Sequence, residues 1–144
     1  MSDANLAPQA PAPDPEAMQA LLAKIAKIQK ILGVLSYGQA LMGLLVLVAP
    51  LFPALAGSAD FGFSLMLLAP FYFGLAYAAN FAKKDLTFAK VAFRNSAISE
   101  LGLLIASLYV YLNTGSLIIG IVAAAAIVLG GLAAMVIYQA TKSQ

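Results

Sequence analysis

Glu100 is set apart from every other ionisable residue of the chain. It lies within the stretch Asn95 to Asn113, which holds no other charge. An acid at the centre of a membrane helix costs about 2.5–3.5 kcal/mol by insertion scales, so a carboxyl here needs a task or a partner. The chemical task would be to hold a proton or a cation, or to anchor a partner's basic group. The packing task would be to fix neighbouring helices as a carboxyl that is protonated or hydrogen-bonded to Tyr and Gln. Glu100 sits about five residues from the nearest charged end of its stretch, roughly 7–8 Å deep at 1.5 Å per residue. In antiparallel helices Ser36, Tyr37, Gln39 and Tyr77 fall at similar depth, and Asn80 lies nearer the charged end. The candidate intramembrane polar site is therefore Glu100, Gln39, Tyr77 and Asn80. Ser96, Glu100 and Ser107 share one stripe at helical spacing. With one acid and no second ionisable group at its depth, a proton relay is incomplete, which weights the reading toward packing.

Other chemistries have no residues to carry them. The sequence contains no Cys and no His, which removes thiolate chemistry, disulfides, Cys-ligated metals and the imidazole switch. It also removes the usual axial ligand of haem and His-bound pigment. There is no glycine-rich phosphate loop, no nucleophile–base pair and no nucleic-acid patch. The expectation is a protein that is not an enzyme and carries no cofactor or metal.

The elements that position Glu100 follow from composition. Of 144 residues, 62% are hydrophobic and 10% are charged, against about 25% charged in soluble domains. So little charge cannot cover a water-facing surface. Four apolar stretches, at about 31–49, 61–82, 95–113 and 117–138, each approach the roughly 20 residues that cross a bilayer core as helix. Pro50 and Pro53 end the first, since proline lacks a backbone donor. Ala54-Leu55-Ala56 resembles a signal-cleavage site, but the apolar region before it starts too late and runs too long for a signal core. Gly57-Ser58-Ala59-Asp60 reads as a turn, with Asp60 able to cap the second span. Pro70 should interrupt that span and free a carbonyl one turn back. The second span also holds Phe61, Phe63, Phe71, Tyr72, Phe73, Tyr77 and Phe81, rings that suit lipid contact or a pocket for a lipid, quinone or pigment tail. Asn113-Thr114-Gly115-Ser116 should close one helix and open the next.

Two segments precede the spans. Residues 1–13 are rich in Pro and Ala and read as an extended tail, either a solvated leader or a peptide that docks on a partner. Asp14-Pro15-Glu16 signals a helix start. Over residues 14–30, Met18, Leu21, Leu22, Ile25 and Ile28 recur three and four apart, with Lys24, Lys27 and Lys30 on the other side. That pattern predicts an amphipathic helix on the membrane surface, or a cytoplasmic extension of the first span.

Orientation follows from the cations. Lys24, Lys27, Lys30, Lys83, Lys84, Lys90, Arg94 and Lys142 are all the Lys and Arg of the chain. With four spans and both termini inside, all of them lie on one side, as the positive-inside rule requires. The expected fold is an all-α integral membrane four-helix bundle over residues 31–144, N-in and C-in, in a bacterial inner membrane. In span count and basic joint this layout resembles small bacterial membrane families, DoxX-like ones among them, a resemblance that implies no activity.

Small residues give the last signal. In the fourth span Ala123, Ala126, Gly130 and Ala133 are spaced three and four apart, with Gly120, Gly131 and Ala134 nearby. Ser99, Gly102 and Ala106 line up in the third span, and Ser36, Ala40 and Gly43 in the first. Such rows let helix backbones approach closely in lipid. The fourth span is small on more than one side, more than one neighbour would use. The leading functional expectation is a non-catalytic accessory subunit that packs on other membrane subunits, in a hetero-complex rather than a homo-oligomer, with lipids bound at its surface. The alternatives are a small homo-oligomeric transporter or channel using Glu100, and a lipid-, isoprenoid- or quinone-binding membrane protein.

Overall fold

The computed structural model describes residues 14–142, with side chains to Gln139; the Pro/Ala-rich segment 1–13 lies outside the described residues. Among the described residues every regular element is helical, and four helices are long and apolar enough to cross a membrane. This is the build of a multi-pass membrane protein.

Helix α1 spans Pro15–Leu47. Asp14 caps it, its carboxylate accepting from the Glu16 amide at 3.4 Å, with Pro15 at the first helical position. The sequence allows two readings of residues 14–30, a surface helix separate from the first span or an extension of that span. The structure has one uninterrupted helix, because no proline lies between Glu16 and Leu47 and no local signal ends the ladder. Its 33 residues would measure about 50 Å at 1.5 Å each, well beyond the roughly 30 Å of a hydrocarbon core. The surplus is about the length of the lysine-bearing part. Met18, Leu21 and Leu22 there are exposed, whereas Leu32 and Leu35 further on are fully buried.

A short connection follows. Ala49–Leu51 and Pro53–Ala56 are single helical turns around the two prolines, and Gly57 takes φ 109°. Helix α2 spans Ala59–Lys84 with a local change of pitch. Ser58, not Asp60, caps it: Ser58 Oγ accepts from the Phe61 amide at 3.0 Å, and Asp60 sits in the first turn, where a negative charge suits the helix dipole. Pro70 acts as its chemistry requires. Residues Met66–Leu68 tighten into a 3₁₀ turn, and the Met66 carbonyl, which proline cannot reach with an N–H, accepts from the Ala69 amide instead.

Asp85 makes the next turn, its carboxylate accepting from the Thr87 amide at 3.2 Å and the Thr87 hydroxyl at 2.7 Å. A 3₁₀ turn, Leu86–Phe88, leads into α3, Ala89–Thr114. The joint between the second and third spans is thus mostly helix, and its cations Lys90 and Arg94 lie on the first turns of α3. Gly115 adopts the left-handed conformation at φ 65°. Ser116 Oγ then accepts from the Ile119 amide at 3.4 Å and opens α4, Leu117–Lys142.

The four helices form two antiparallel pairs, α1 on α2 and α3 on α4, with sparser contact between the pairs. In the first pair Gln29 Nε2 donates to the Lys83 carbonyl at 3.3 Å and Ser36 Oγ to the Ala76 carbonyl at 2.9 Å. The ring of Phe73 packs on Gly43, about 2.9 Å from where a Cβ would stand. In the second pair Tyr111 lies against Gly120, and Glu100 against Gly130. Antiparallel pairing gathers the start of α1, the end of α2, the start of α3 and the end of α4 at one end of the bundle. These are the segments that carry the Lys and Arg residues. One core joins both pairs through Leu32, Leu35, Val46, Tyr72, Phe93 and Val122; a smaller one at the opposite end joins Ala49, Ala56, Leu65, Ile118 and Ile119.

Candidate functional site

The polar centre of the bundle lies where the two pairs meet. Glu100 and Gln39 are fully buried, with Ser96 beside them. Helix α3 supplies Ser96 and Glu100 one turn apart, so both point into the bundle, and Ser107 continues the row inward. Helix α1 supplies Gln39 from the opposite pair, on the same face as Leu32, Leu35, Met42 and Val46. Gly130 of α4 makes the room: a Cβ there would stand 2.9 Å from Glu100 Cβ.

The Gln39 amide has two orientations, and one of them fits its surroundings. In the other, Nε2 donates to Ser96 Oγ at 3.3 Å and to Glu100 Oε1 at 3.5 Å, but the amide oxygen then faces the Leu75 and Leu35 carbonyls, which are acceptors like itself. Turned over, its nitrogen donates to the Leu75 carbonyl at 3.1 Å and the Leu35 carbonyl at 3.3 Å, while its oxygen accepts from Ser96 Oγ at 3.3 Å. The second orientation satisfies more of the amide and ties α1, α2 and α3 together through one side chain. It also turns the amide oxygen toward Glu100 Oε1, a contact that is a hydrogen bond only when Glu100 carries a proton.

Two polar atoms of this centre are left over. Glu100 Oε2 and Tyr72 Oη are buried without a hydrogen-bond partner. Tyr72 comes from α2, fully buried on the row Ala69, Tyr72, Ala76 and Ala79, near enough to Glu100 for the two to interact electrostatically.

The expected site is therefore brought together in part. Glu100 and Gln39 meet; Tyr77 and Asn80 do not join them. Tyr77 is 71% exposed and stacks on Phe81 with ring centres 6.4 Å apart. Asn80 is exposed too. Tyr77 matches Glu100 in depth but lies on the wrong face of α2. Tyr72, which sequence reasoning missed, lies on the buried row, and its spacing from Ala69, Ala76 and Ala79 is the signal that would have found it. Tyr37 is also turned outward.

The small residues divide by face. Ala123, Ala126 and Ala133 are buried in the bundle, and Gly130 is taken up by Glu100. Gly131 and Ala134 face out, with no neighbour within 4 Å of where a Gly131 Cβ would stand. They border an apolar groove of about 400 Å³ between α3 and α4, walled by Ile98, Leu101 and Ile127. On α3, Gly102 and Ala106 also face out, and Ser99 is half-buried.

Chemically, the centre holds one carboxyl, one amide and one serine hydroxyl in contact, with the buried Tyr72 phenol close by but bonded to none of them. It can store one proton or hold helices in register. Among the described residues no group of three His, Cys, Asp or Glu side chains is gathered. No protein-family model, no curated protein and no solved structure matches this chain.

Proposed function

We propose that this chain is a small non-catalytic subunit of a larger membrane complex, docked through the outer faces of α3 and α4. The observation that carries the reading is the outer surface of α3. Only 11% of its most apolar stretch is buried within the chain, against 39% for α4. Its outward side bears bulky Ile98, Leu101, Ile105 and Tyr109 and, beside them, a strip of small and polar residues, Asn95, half-buried Ser99, Gly102 and Ala106. The bulky side chains suit lipid or a partner alike; the small strip suits a neighbouring helix, through close backbone approach. Asn95, next to Arg94 at the cationic end of α3, is exposed and makes no side-chain hydrogen bond among the described residues, which leaves its amide available to a partner at the membrane edge. The reading extends to a bacterial inner membrane with both termini cytoplasmic, supported by the clustering of the cations at one end of the bundle.

The test is extraction in mild detergent followed by native mass spectrometry. The expected result is a heteromeric assembly, weakened by Gly102→Leu while the isolated chain keeps its helicity. A monomer alone, in wild type and under the gentlest extraction, refutes the proposal.

A second reading, a small transporter or channel, is favoured by the unpartnered Glu100 Oε2 and Tyr72 Oη. It requires Glu100→Gln to abolish proton or cation flux in vesicles with assembly intact. Unchanged flux removes it.

A further inference from the structure

We propose that a groove between α1 and α4, at the cationic end of the bundle, is a binding site for one anionic phospholipid. The groove is a shallow, open one of about 530 Å³ that brings Lys30 of α1 together with Lys83 of α2. The backbones that carry the two lysines are held together, because Gln29 Nε2 donates to the Lys83 carbonyl at 3.3 Å and so ties the end of α2 to α1. Gly33 lets the Lys83 side chain lie across α1: Nζ is 3.5 Å from where a Gly33 Cβ would stand. The ammonium is thereby drawn over the groove rather than extended away from it. Among the described residues neither lysine is paired with a carboxylate. The groove thus carries two uncompensated positive charges at its mouth.

Beyond the lysines the lining becomes apolar. Val34 forms one wall and Leu129 of α4 the other, with the Tyr37 ring alongside. Gly38 brings α1 close to α4, a Cβ there standing 2.8 Å from Leu129 Cδ2. From Lys30 to Gly38 the groove runs about 12 Å along α1, eight residues at 1.5 Å. A pair of cations at the membrane edge followed by an open apolar channel into the bilayer matches the polarity profile of a lipid with an anionic head. The phosphate would sit between Lys30 and Lys83, and an acyl chain would lie along Val34 and Leu129. A free phosphate would use the mouth and leave the channel empty; a zwitterionic lipid would lack the net charge that two unpaired lysines select.

The experiment uses the full chain, purified, stripped of lipid and titrated with phosphatidylglycerol or phosphatidylcholine under native mass spectrometry. Wild type should retain one phosphatidylglycerol in preference to phosphatidylcholine. Lys30→Gln with Lys83→Gln should lower that preference about 25-fold, at about fivefold per lysine. Lys24→Gln with Lys27→Gln removes the same charge from α1 away from the groove and should leave the preference intact. Gly33→Leu, which fills the groove under Lys83 without altering charge, should weaken the adduct. Inorganic phosphate in excess should not displace the lipid. Equal losses in the two double-lysine variants would mean diffuse attraction and overturn the site. So would retention of phosphatidylcholine equal to that of phosphatidylglycerol, or displacement by inorganic phosphate.

Discussion

Replacing Gly130 by alanine should push α3 and α4 apart at Glu100. The new Cβ would stand 2.9 Å from Glu100 Cβ, whereas carbon atoms pack best at about 3.5–4.0 Å, so the gap must open by about 1 Å. Neither atom can swing away, since each is fixed directly to its backbone, and the helices themselves have to move. Overpacking of this kind costs about 1–3 kcal/mol. Gly38→Ala provides the comparison. Its Cβ would lie 2.8 Å from Leu129 Cδ2, no roomier, but Cδ2 is the far end of a side chain bordering an open groove. Leu129 can rotate. Both substitutions gain the same helix propensity of about 1 kcal/mol, which cancels between them. Gly130→Ala should therefore be less stable than Gly38→Ala by about 1–3 kcal/mol, a factor of roughly 5–150 in the unfolding equilibrium. Reversible unfolding in mixed micelles, read by circular dichroism, measures it. A control isolates the contact: the penalty of Glu100→Gly relative to Glu100→Ala should be smaller in the Gly130→Ala background than with Gly130 present, because only there does it remove an opposing Cβ, while the propensity cost of glycine is common to both. Equal stability of Gly130→Ala and Gly38→Ala, within about 0.5 kcal/mol, would refute the close approach of α3 and α4 at this level.

Other perturbations report on separate parts of the structure. Gln39→Leu removes the cross-tie and leaves Ser96 and Glu100 without it, at a cost of about 1–3 kcal/mol; with Glu100→Leu added, the combined loss should be smaller than the sum of the single losses, measured by the same unfolding assay. Ser58→Ala deletes the cap of α2 and should lower stability by about 1 kcal/mol, while Asp60→Asn should cost less because Asp60 holds no capping bond; comparable losses would reassign the cap. Because the chain has no Cys, single-cysteine labelling can read orientation without background. Lys84→Cys and Lys142→Cys should react with an impermeant maleimide only after the cytoplasmic face is opened, and Asn113→Cys from the other side; labelling of Lys84→Cys and Lys142→Cys from opposite faces would overturn the four-span path.

The parts of this architecture that sequence could convey are those governed by local chemistry. Asp14-Pro15, the proline pair at 50 and 53, and Gly115-Ser116 act through their own backbone geometry, so their roles were legible from residue type. Ser58 and Asp60 are both able to cap. Which one does so depends on where the Gly57 turn ends, a matter of φ angles that residue types do not fix. A division of α1 at residue 30 rests on a change in composition, and composition does not break a hydrogen-bond ladder. In the polar centre, Glu100 and Gln39 were recognisable because each is an isolated polar residue in an apolar stretch. Tyr77 matches Glu100 by depth alone, and depth leaves the face undetermined: Tyr72 and Tyr77 are five residues apart, which turns one inward and the other out. The fourth helix presents the same difficulty more strongly. With small residues on several sides it has no apolar stripe to give a phase, so Gly130 and Gly131 are indistinguishable until α3 is in place.

The position of the polar centre follows from what holds helices together in lipid. Hydrocarbon gives apolar side chains no reason to leave it, so association depends on close packing and on hydrogen bonds. Each pair in this bundle has its own close seats: Phe73 on Gly43 for α1 and α2, Tyr111 on Gly120 and Glu100 on Gly130 for α3 and α4. Between the pairs contact is sparser, and apolar side chains alone would allow one pair to slide on the other by a turn with little penalty. Gln39 removes that freedom. It can be satisfied only where the Leu75 carbonyl and Ser96 Oγ converge on it, and a slide of one turn, about 5.4 Å, would strand its amide in hydrocarbon. Glu100 adds a condition on charge: the orientation of Gln39 that reaches Leu75 meets a protonated Glu100, and the orientation that donates to Glu100 gives up α2 and sets the amide oxygen against the Leu75 carbonyl. A charge placed on Glu100 would thus be felt as a loosened tie between α1 and α2. Substitutions at Gln39 should therefore separate the two pairs before they melt any helix, so that cross-linking between α1 and α3 falls while helicity is retained.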